Sequence, residues 1–370
     1  MKLQIKRDNT VNPLTLTTSV VERRQTLPIL SNILLEVDSD GILRLIGTDL
    51  EVETQIEIPI DVDGLIPGKS TVSARKLLDI CRALPEGSLL KITQKESKVN
   101  IQCGNSRFSL QSLPAEDFPR LDDAEHWEER VKLSQGSLRA LLEKTSFSMA
   151  HQDVRYFLNG VLLELSETEI AAVATDGHRL ARSAISLNEP ITTPRQAIVP
   201  RKAVQELNRF LDNTDDPVTV EMNPSHLRFS RAGAVLTTKV IDGKFPDYRS
   251  VVEQNLTRVV LADRVELYDV LARTAVLTNE KYRGIRLEVE SGGLKVTAHN
   301  PDQEEASDQI AIDYDGEKIE IGFNVAYLMD AIRAIHEEKV EILLEDTSSG
   351  CLLRGPGVEN TQYLIMPMRL

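Results

Sequence analysis

The chain carries one pattern three times over, and any fold it adopts has to accommodate that repetition. Leu35-Glu36-Val37, Leu163-Glu164-Leu165 and Leu287-Glu288-Val289 each follow a helix-like stretch and precede a turn and another apolar strand, at spacings of about 128 and 124 residues. A second marker agrees: Val72-Ser73-Ala74-Arg75-Lys76 matches Val199-Pro200-Arg201-Lys202, with a weaker copy at Phe323-Asn324-Val325. Phe118-Pro119 and Phe245-Pro246 form a third, each after a strand-like run, and Tyr363-Leu364-Ile365 is the corresponding run of the last copy.

Within each copy the pattern restarts. A short strand (2–6, 131–133, 258–261) leads into an amphipathic helix (8–24, 134–149, 262–274). Asp8, Ser134 and Asp263 are placed to accept from free helix N–H groups as N-caps. Strands follow, and residues 50–58 alternate apolar and polar, which predicts one buried and one wet face. A second helix (73–84, 201–212, 324–336) then opens another strand set. The expectation is an α+β fold of three similar domains, each with two helices packed on antiparallel sheets. The charged stretch 122–130 and the polar stretch 253–257 set expected domains at 1–125, 126–253 and 254–370. Copies of this size each hold a core and are not solenoid units.

Charge is distributed unevenly. The chain has a net charge of −14, which excludes nucleic-acid binding over the whole surface but not on a local basic face. The six predicted helices hold thirteen basic and ten acidic side chains, a net of +3. Such a face suits loose phosphate contact without base reading. Aromatics at 4% argue against a stacking platform for single strands. Cys81, Cys103 and Cys351 form no CxxC pair, so neither a disulfide framework nor a zinc module is expected. No cofactor or metal is expected either: the histidines lack HxH or HExxH spacing, and the acidic run Asp302, Glu304, Glu305, Asp308 lacks the EF-hand pattern. Gly64, Gly68, Lys69 and Ser70 imitate a phosphate loop, but only three residues separate the glycines and a strand follows. The opening residues show no apolar signal core and no run is long enough to span a bilayer, so a cytoplasmic protein without membrane partners is expected.

Seven segments resemble the bacterial sliding clamp family, the beta subunits of replicative DNA polymerase III. They are LPILSNILLEV (27–37), ARKLLDICRALPEG (74–87), SMAHQDVRYFLNG (148–160), ATDGHRLA (174–181), DGKFPDYR (242–249), NEKYRGIRL (279–287) and MPMRL (366–370). The resemblance runs along the whole chain. It implies a non-catalytic processivity factor for DNA replication: a head-to-tail homodimer closing a six-domain ring around double-stranded DNA, helices inside and sheets outside. Implied partners are the replicative polymerase alpha subunit, the clamp loader, and other polymerases and repair proteins, bound through short apolar peptides.

The resemblance also assigns residues. DNA contacts fall on Arg24, Arg75, Gln152, Tyr156 and Phe157, with Arg24 and Gln152 at helix ends. The partner-peptide groove, where the second and third domains meet, takes Leu158, Thr175, Gly177, His178, Arg179, Leu180, Pro246, Val251, Leu364, Ile365, Met366, Pro367, Met368, Arg369 and Leu370. The dimer contact sets Phe108 and Leu110 against Val276 and Leu277, with Lys76 and Arg107 facing Glu304 and Glu305. Ser250 stands where some family members carry Arg, and Phe157 where many carry Tyr. Independently of the resemblance, Pro367 predicts the end of a last strand, since proline cannot donate to a ladder. The flanking methionines suit a surface that accepts several ligands. Two other readings remain open: an enzyme using Asp176, His178 and Arg179, and an acidic scaffold that never meets DNA.

Overall fold

Short strands and short helices alternate along the chain, as the repeat requires. The computed structural model describes residues 1–22, 27–121, 127–191, 193–252 and 256–369. The first third forms β1 (Lys2–Lys6), α1 (Asp8–Val20), β2 (Asn32–Val37), β3 (Ile42–Thr48), β4 (Val52–Pro59), β5 (Gly68–Ser73), α2 (Ala74–Ala83), β6 (Leu89–Lys95), β7 (Lys98–Cys103) and β8 (Ser106–Gln111). The middle third forms β9 (Glu129–Ser134), α3 (Gln135–Glu143), β10 (Gly160–Leu165), β11 (Glu169–Thr175), β12 (Arg179–Ser186), β13 (Arg195–Pro200), α4 (Arg201–Phe210), β14 (Pro217–Met222), β15 (His226–Arg231) and β16 (Ala234–Lys239). A single-turn α5 (Arg249–Val252) precedes the last third. That third forms β17 (Arg258–Asp263), α6 (Arg264–Ala275), β18 (Gly284–Glu290), β19 (Gly293–His299), β20 (Glu305–Ala311), β21 (Ile319–Asn324), α7 (Val325–Ala334), β22 (Lys339–Leu344), β23 (Cys351–Arg354) and β24 (Thr361–Ile365). One order, strand, helix, four strands, helix, three strands, recurs three times, in an α+β fold of antiparallel sheets.

The elements gather into two bodies, Met1–Arg139 with Lys202–Val240 and Ala140–Arg201 with Ile241–Leu370, so the middle repeat is shared between them. The first body holds a four-stranded sheet, β1-β6-β7-β8, and an eight-stranded one, β5-β2-β3-β4-β16-β15-β14-β9. The second body holds an eight-stranded sheet, β13-β10-β11-β12-β24-β23-β22-β17, and a four-stranded one, β20-β19-β18-β21. Each eight-stranded sheet is two four-stranded halves stitched by one antiparallel pair. In the first the stitch is β4 to β16, with Ile56 opposite Ala234. In the second it is β12 to β24, with Leu180 opposite Leu364. The remaining strands of those two ranks are β8 and β20, and each is an open edge of its four-stranded sheet among the described residues.

Helix faces follow from apolar spacing. α2 buries Ala74, Leu77, Leu78 and Cys81, the three- and four-residue steps of one helical stripe. Full burial of each leucine is worth roughly 1.5–3 kcal/mol. α1 packs on α2 and approaches β3 so closely that a Cβ on Gly47 would lie 2.5 Å from the Thr17 carbonyl oxygen. In the second body α6 and α7 bury Val270, Leu271, Leu328 and Ile332 with Phe323 and Tyr363. α4 is amphipathic but buries Glu206, which accepts from the Ser19 hydroxyl and pairs with Arg209.

Several expectations are corrected. Asp8 is not an N-cap. Arg7 in that position already has helical dihedrals, and the Asp8 carboxylate accepts from Gly87 N (2.8 Å) and from Arg7. Ser134 and Asp263 do accept from helix-opening N–H groups. The first helix ends at Val20, where the next residue turns extended. α3 stops at Glu143 instead of 149, and a 3-10 turn, Ser146–Ser148, follows. There the Thr145 hydroxyl occupies the Leu141 carbonyl, a side-chain bond that competes with helix continuation. Leu50, expected in a strand, has φ of 78° and lies before β4. Gln152 lies in a loop, with φ of 54°, and not at a helix end.

Candidate functional site

The second eight-stranded sheet carries an apolar patch on one face. Leu162 on β10 lies opposite Ile198 and Val173, and Leu180 on β12 opposite Leu364 on β24, which in turn faces Leu352. These side chains, with Phe245 and Tyr248, form one buried cluster. Phe157, Ile241, Val251, Val252, Leu256 and Leu343 pack around it half-buried. The strands supply a floor. The segment from Phe245 through α5 crosses over that floor as a wall.

Predicted groove residues distribute around this floor. Leu180 and Leu364 are in it, Val251 is in the wall, and Pro246 is exposed beside it. Met366 is 37% exposed. Its N–H donates to the His178 carbonyl (2.9 Å), and the Met368 N–H donates to Gly322 (2.8 Å). The tail is thereby pinned on both sides, with the strand ended at Ile365 and Pro367 just beyond it. Pro367 and Met368 are half-buried, and Arg369 is exposed. Leu370 lies outside the described residues. Thr175 is buried, accepts from Gly177 N and donates to the Arg179 carbonyl. Gly177 turns with φ of 89°, where any Cβ is strained. His178 is exposed at this turn. Leu158 is buried, and Ile365 is buried in the helix-side core.

Arg179 points to the opposite face of the sheet from Leu180, as strand alternation demands. Its guanidinium donates to Asp176 (3.1 Å), to Asp330 on α7 (2.7 Å) and to the Phe147 carbonyl (2.6 Å), and lies 4.4 Å from the Tyr327 ring centroid. Asp176 also accepts from the backbone of His178 and Arg179. This constellation holds a turn and a helix together through the Asp176, Arg179 and Asp330 side chains.

The wall has an anchor that sequence reasoning did not name. Tyr248 Oη donates to Glu164 (2.6 Å), and Arg249 pairs with the same carboxylate while stacking over the Tyr248 ring. Burial, and then the Glu164 carboxylate, push the Tyr248 phenol up to about 12, so it stays a donor. Tyr248, Leu162, Val173, Ile198 and Leu352 carry no groove assignment from the sequence either, and Phe245 stands there only as a repeat marker. The available signal was a lone Glu inside the apolar strand Val161 to Leu165, which calls for a partner.

The other predicted sets are placed as follows. Arg75, on α2, is exposed, and Arg24 lies outside the described residues. Gln152 and Tyr156 are exposed in one loop, with the Tyr156 ring edge-on to Phe157 at 5.9 Å, while Phe157 itself packs on the apolar cluster. Asp153 in that loop accepts from the Arg155 backbone and guanidinium. Phe108 and Leu110 are half-buried on the edge strand β8, Arg107 is exposed there, and Lys76 is exposed on α2. Val276 is 77% exposed after α6, Leu277 is half-buried, and Glu304 and Glu305 are exposed at the start of the edge strand β20. No helix among the described residues is long and apolar enough to cross a membrane.

Comparison with known proteins agrees along the full length. Residues 1–122, 132–247 and 249–369 match the N-terminal, central and C-terminal domains of the DNA polymerase III beta subunit. The beta sliding clamp of Pseudomonas putida is 46% identical, and that of Escherichia coli K12 is 43% identical, each over all of both chains. The crystal structure of the Pseudomonas aeruginosa DNA polymerase III beta subunit superposes with a TM-score of 0.97 at 44% identity, covering all of both chains. A second structure of the clamp from that species, at the same TM-score and identity, has griselimycin bound. The Caulobacter crescentus protein aligns with a TM-score of 0.94 at 36% identity, again over both whole chains. Repeat order, sheet topology and these matches together make the chain a member of the DNA polymerase III beta subunit family, the bacterial sliding clamps.

Proposed function

We propose that two copies of this chain close head to tail into a six-domain ring around double-stranded DNA and tether the replicative polymerase for processive synthesis. The observation that carries this reading is the pair of open edges. Every half-sheet boundary inside the chain is made by the last strand of one repeat against the third sheet strand after the first helix of the preceding repeat: β16 on β4, and β24 on β12. The same rule leaves β8 for β20, and a second copy supplies the missing partner. Unsatisfied edges invite strand addition, and a repeated heterologous contact closes if the rotation allows. Domains are set at 1–125, 126–253 and 254–370.

In this ring Arg24, Arg75, Gln152, Tyr156 and Phe157 touch DNA. A topologically linked ring needs no tight phosphate pairing, and weak, salt-sensitive contacts let it slide. The apolar patch under Val251 takes short peptides from the polymerase alpha subunit, the clamp loader, and other polymerases and repair proteins, each with one or two apolar anchors. The chain performs no chemistry and works in the cytoplasm. The test loads the protein on nicked circular DNA with a clamp loader and then linearises the circle. Loss of bound protein on linearisation is expected. Retention on the linear form would identify a conventional DNA binder.

A further inference from the structure

Glu164 is a carboxylate where the groove needs none. On β10 it shares a face with Leu162, which lies in the apolar floor, and its side chain is only 16% exposed. Its cross-strand neighbours, Ala171 and Gln196, bring no positive charge. A carboxylate so placed must find donors, and it finds both on the wall: the Tyr248 hydroxyl on one oxygen and the Arg249 guanidinium on the other. Those two residues lead into α5, whose Val251 and Val252 pack on the floor. The backbone of this segment meets the sheet at Ile241, bonded to Ile198. Beyond that point, among the described residues, its hydrogen bonds turn inward, Val251 and Val252 to Tyr248 and Ser250 to Asp247. The seat of the wall is therefore set by side chains.

We propose that Glu164 is a positioning residue of the groove: through Tyr248 and Arg249 it holds the Val251 wall at the spacing from the Leu180 and Leu364 floor that apolar peptide ligands require. The inference rests on the groove reading above. It assigns Glu164 no contact with ligand, so its effect passes entirely through the wall.

The test is calorimetric titration of the full-length protein with griselimycin. The variants are Glu164→Ala, Glu164→Gln, Tyr248→Phe and the Glu164→Ala/Tyr248→Phe double, with Val251→Asp as a groove control. Thermal melts report folding. Glu164→Ala is expected to weaken binding about tenfold, the scale of one charge-assisted hydrogen bond. Glu164→Gln, whose amide oxygen still accepts from Tyr248, is expected to recover most of that loss. The double variant is expected to bind no more weakly than Glu164→Ala alone, since both changes cut one tether. Should Glu164→Ala melt early, Glu164→Gln and Tyr248→Phe carry the comparison. Unchanged affinity in Glu164→Ala or Tyr248→Phe, with binding lost in Val251→Asp, would overturn the positioning role. Additive losses in the double variant would do the same. Wild-type affinity in Val251→Asp would overturn the groove reading itself, and this inference with it.

Discussion

Arg179 and Leu180 are neighbours in sequence and have opposite duties. Leu180 presents a methyl surface to the groove, while Arg179 spends its charge behind the sheet on Asp176 and Asp330. A change at Arg179 therefore acts on the groove from its back, by loosening the turn whose His178 carbonyl holds Met366. Asp153 shows how local such matching can be. Hydrogen bonds from the Arg155 side chain and then its backbone pull the Asp153 carboxyl from the ordinary 3.8 to about 2. A depressed carboxylate contributes its stabilisation above the ordinary value and loses it as pH falls toward the folded one. The loop bearing Gln152 and Tyr156 should thus stay ordered at pH 5 and loosen between about pH 4 and 2. Carboxyl carbon shifts followed by NMR should place the Asp153 midpoint near 2, and Arg155→Ala should return it toward the ordinary value. A wild-type midpoint near 4 would show that the pairing does not persist in solution.

Among the elements, the terminal segment after β24 is the most exposed to test. Its backbone is bonded to His178 and Gly322, yet Met366 stays partly exposed, so it edges the groove without building the core. Deleting 366–370 is expected to leave a folded dimer that still encircles DNA once loaded. Peptide binding should weaken by ~2 kcal/mol or more, the worth of an apolar anchor site. Calorimetry with a polymerase-derived peptide on both proteins decides it, and equal affinities would make the segment merely structural. Helices and strands of this size were readable because their periodicity is intrinsic: the α2 stripe and the β24 stop at Pro367 are written in adjacent residues. What could not be read depended on distant chain. Asp8 looks like a cap until Gly87 arrives from 79 positions away. The groove floor was only half visible: Leu180 sits in a motif shared with the clamp family and Leu364 in the last strand-like run, while Leu162, Val173, Ile198 and Leu352 carry no such mark. Phe245, Tyr248 and Glu164 acquire meaning only once the wall crosses the sheet.

For the whole molecule, the three repeats predict one kind of joint used everywhere. Val276→Ala with Leu277→Ala, at the exposed end of α6, is expected to yield a folded monomer, since few residues dominate a small contact. Multi-angle light scattering at low micromolar protein should then report the single-chain mass of 41.3 kDa. A persistent dimer would remove these residues from the contact. The joints nevertheless differ in one respect. Where β4 meets β16 the chain is continuous, and Arg120 and the Leu121 N–H fasten the connecting segment onto Glu53 of β4 itself. Halves that part there remain on one thread, at an effective concentration of order millimolar, and rejoin at once. In the proposed dimer, halves that part where β8 meets the partner's β20 have no thread and depend on bulk concentration. In the proposed ring, the seams within each chain then act as hinges and the seams between copies as gates, a difference of covalent connectivity and not of strand pairing.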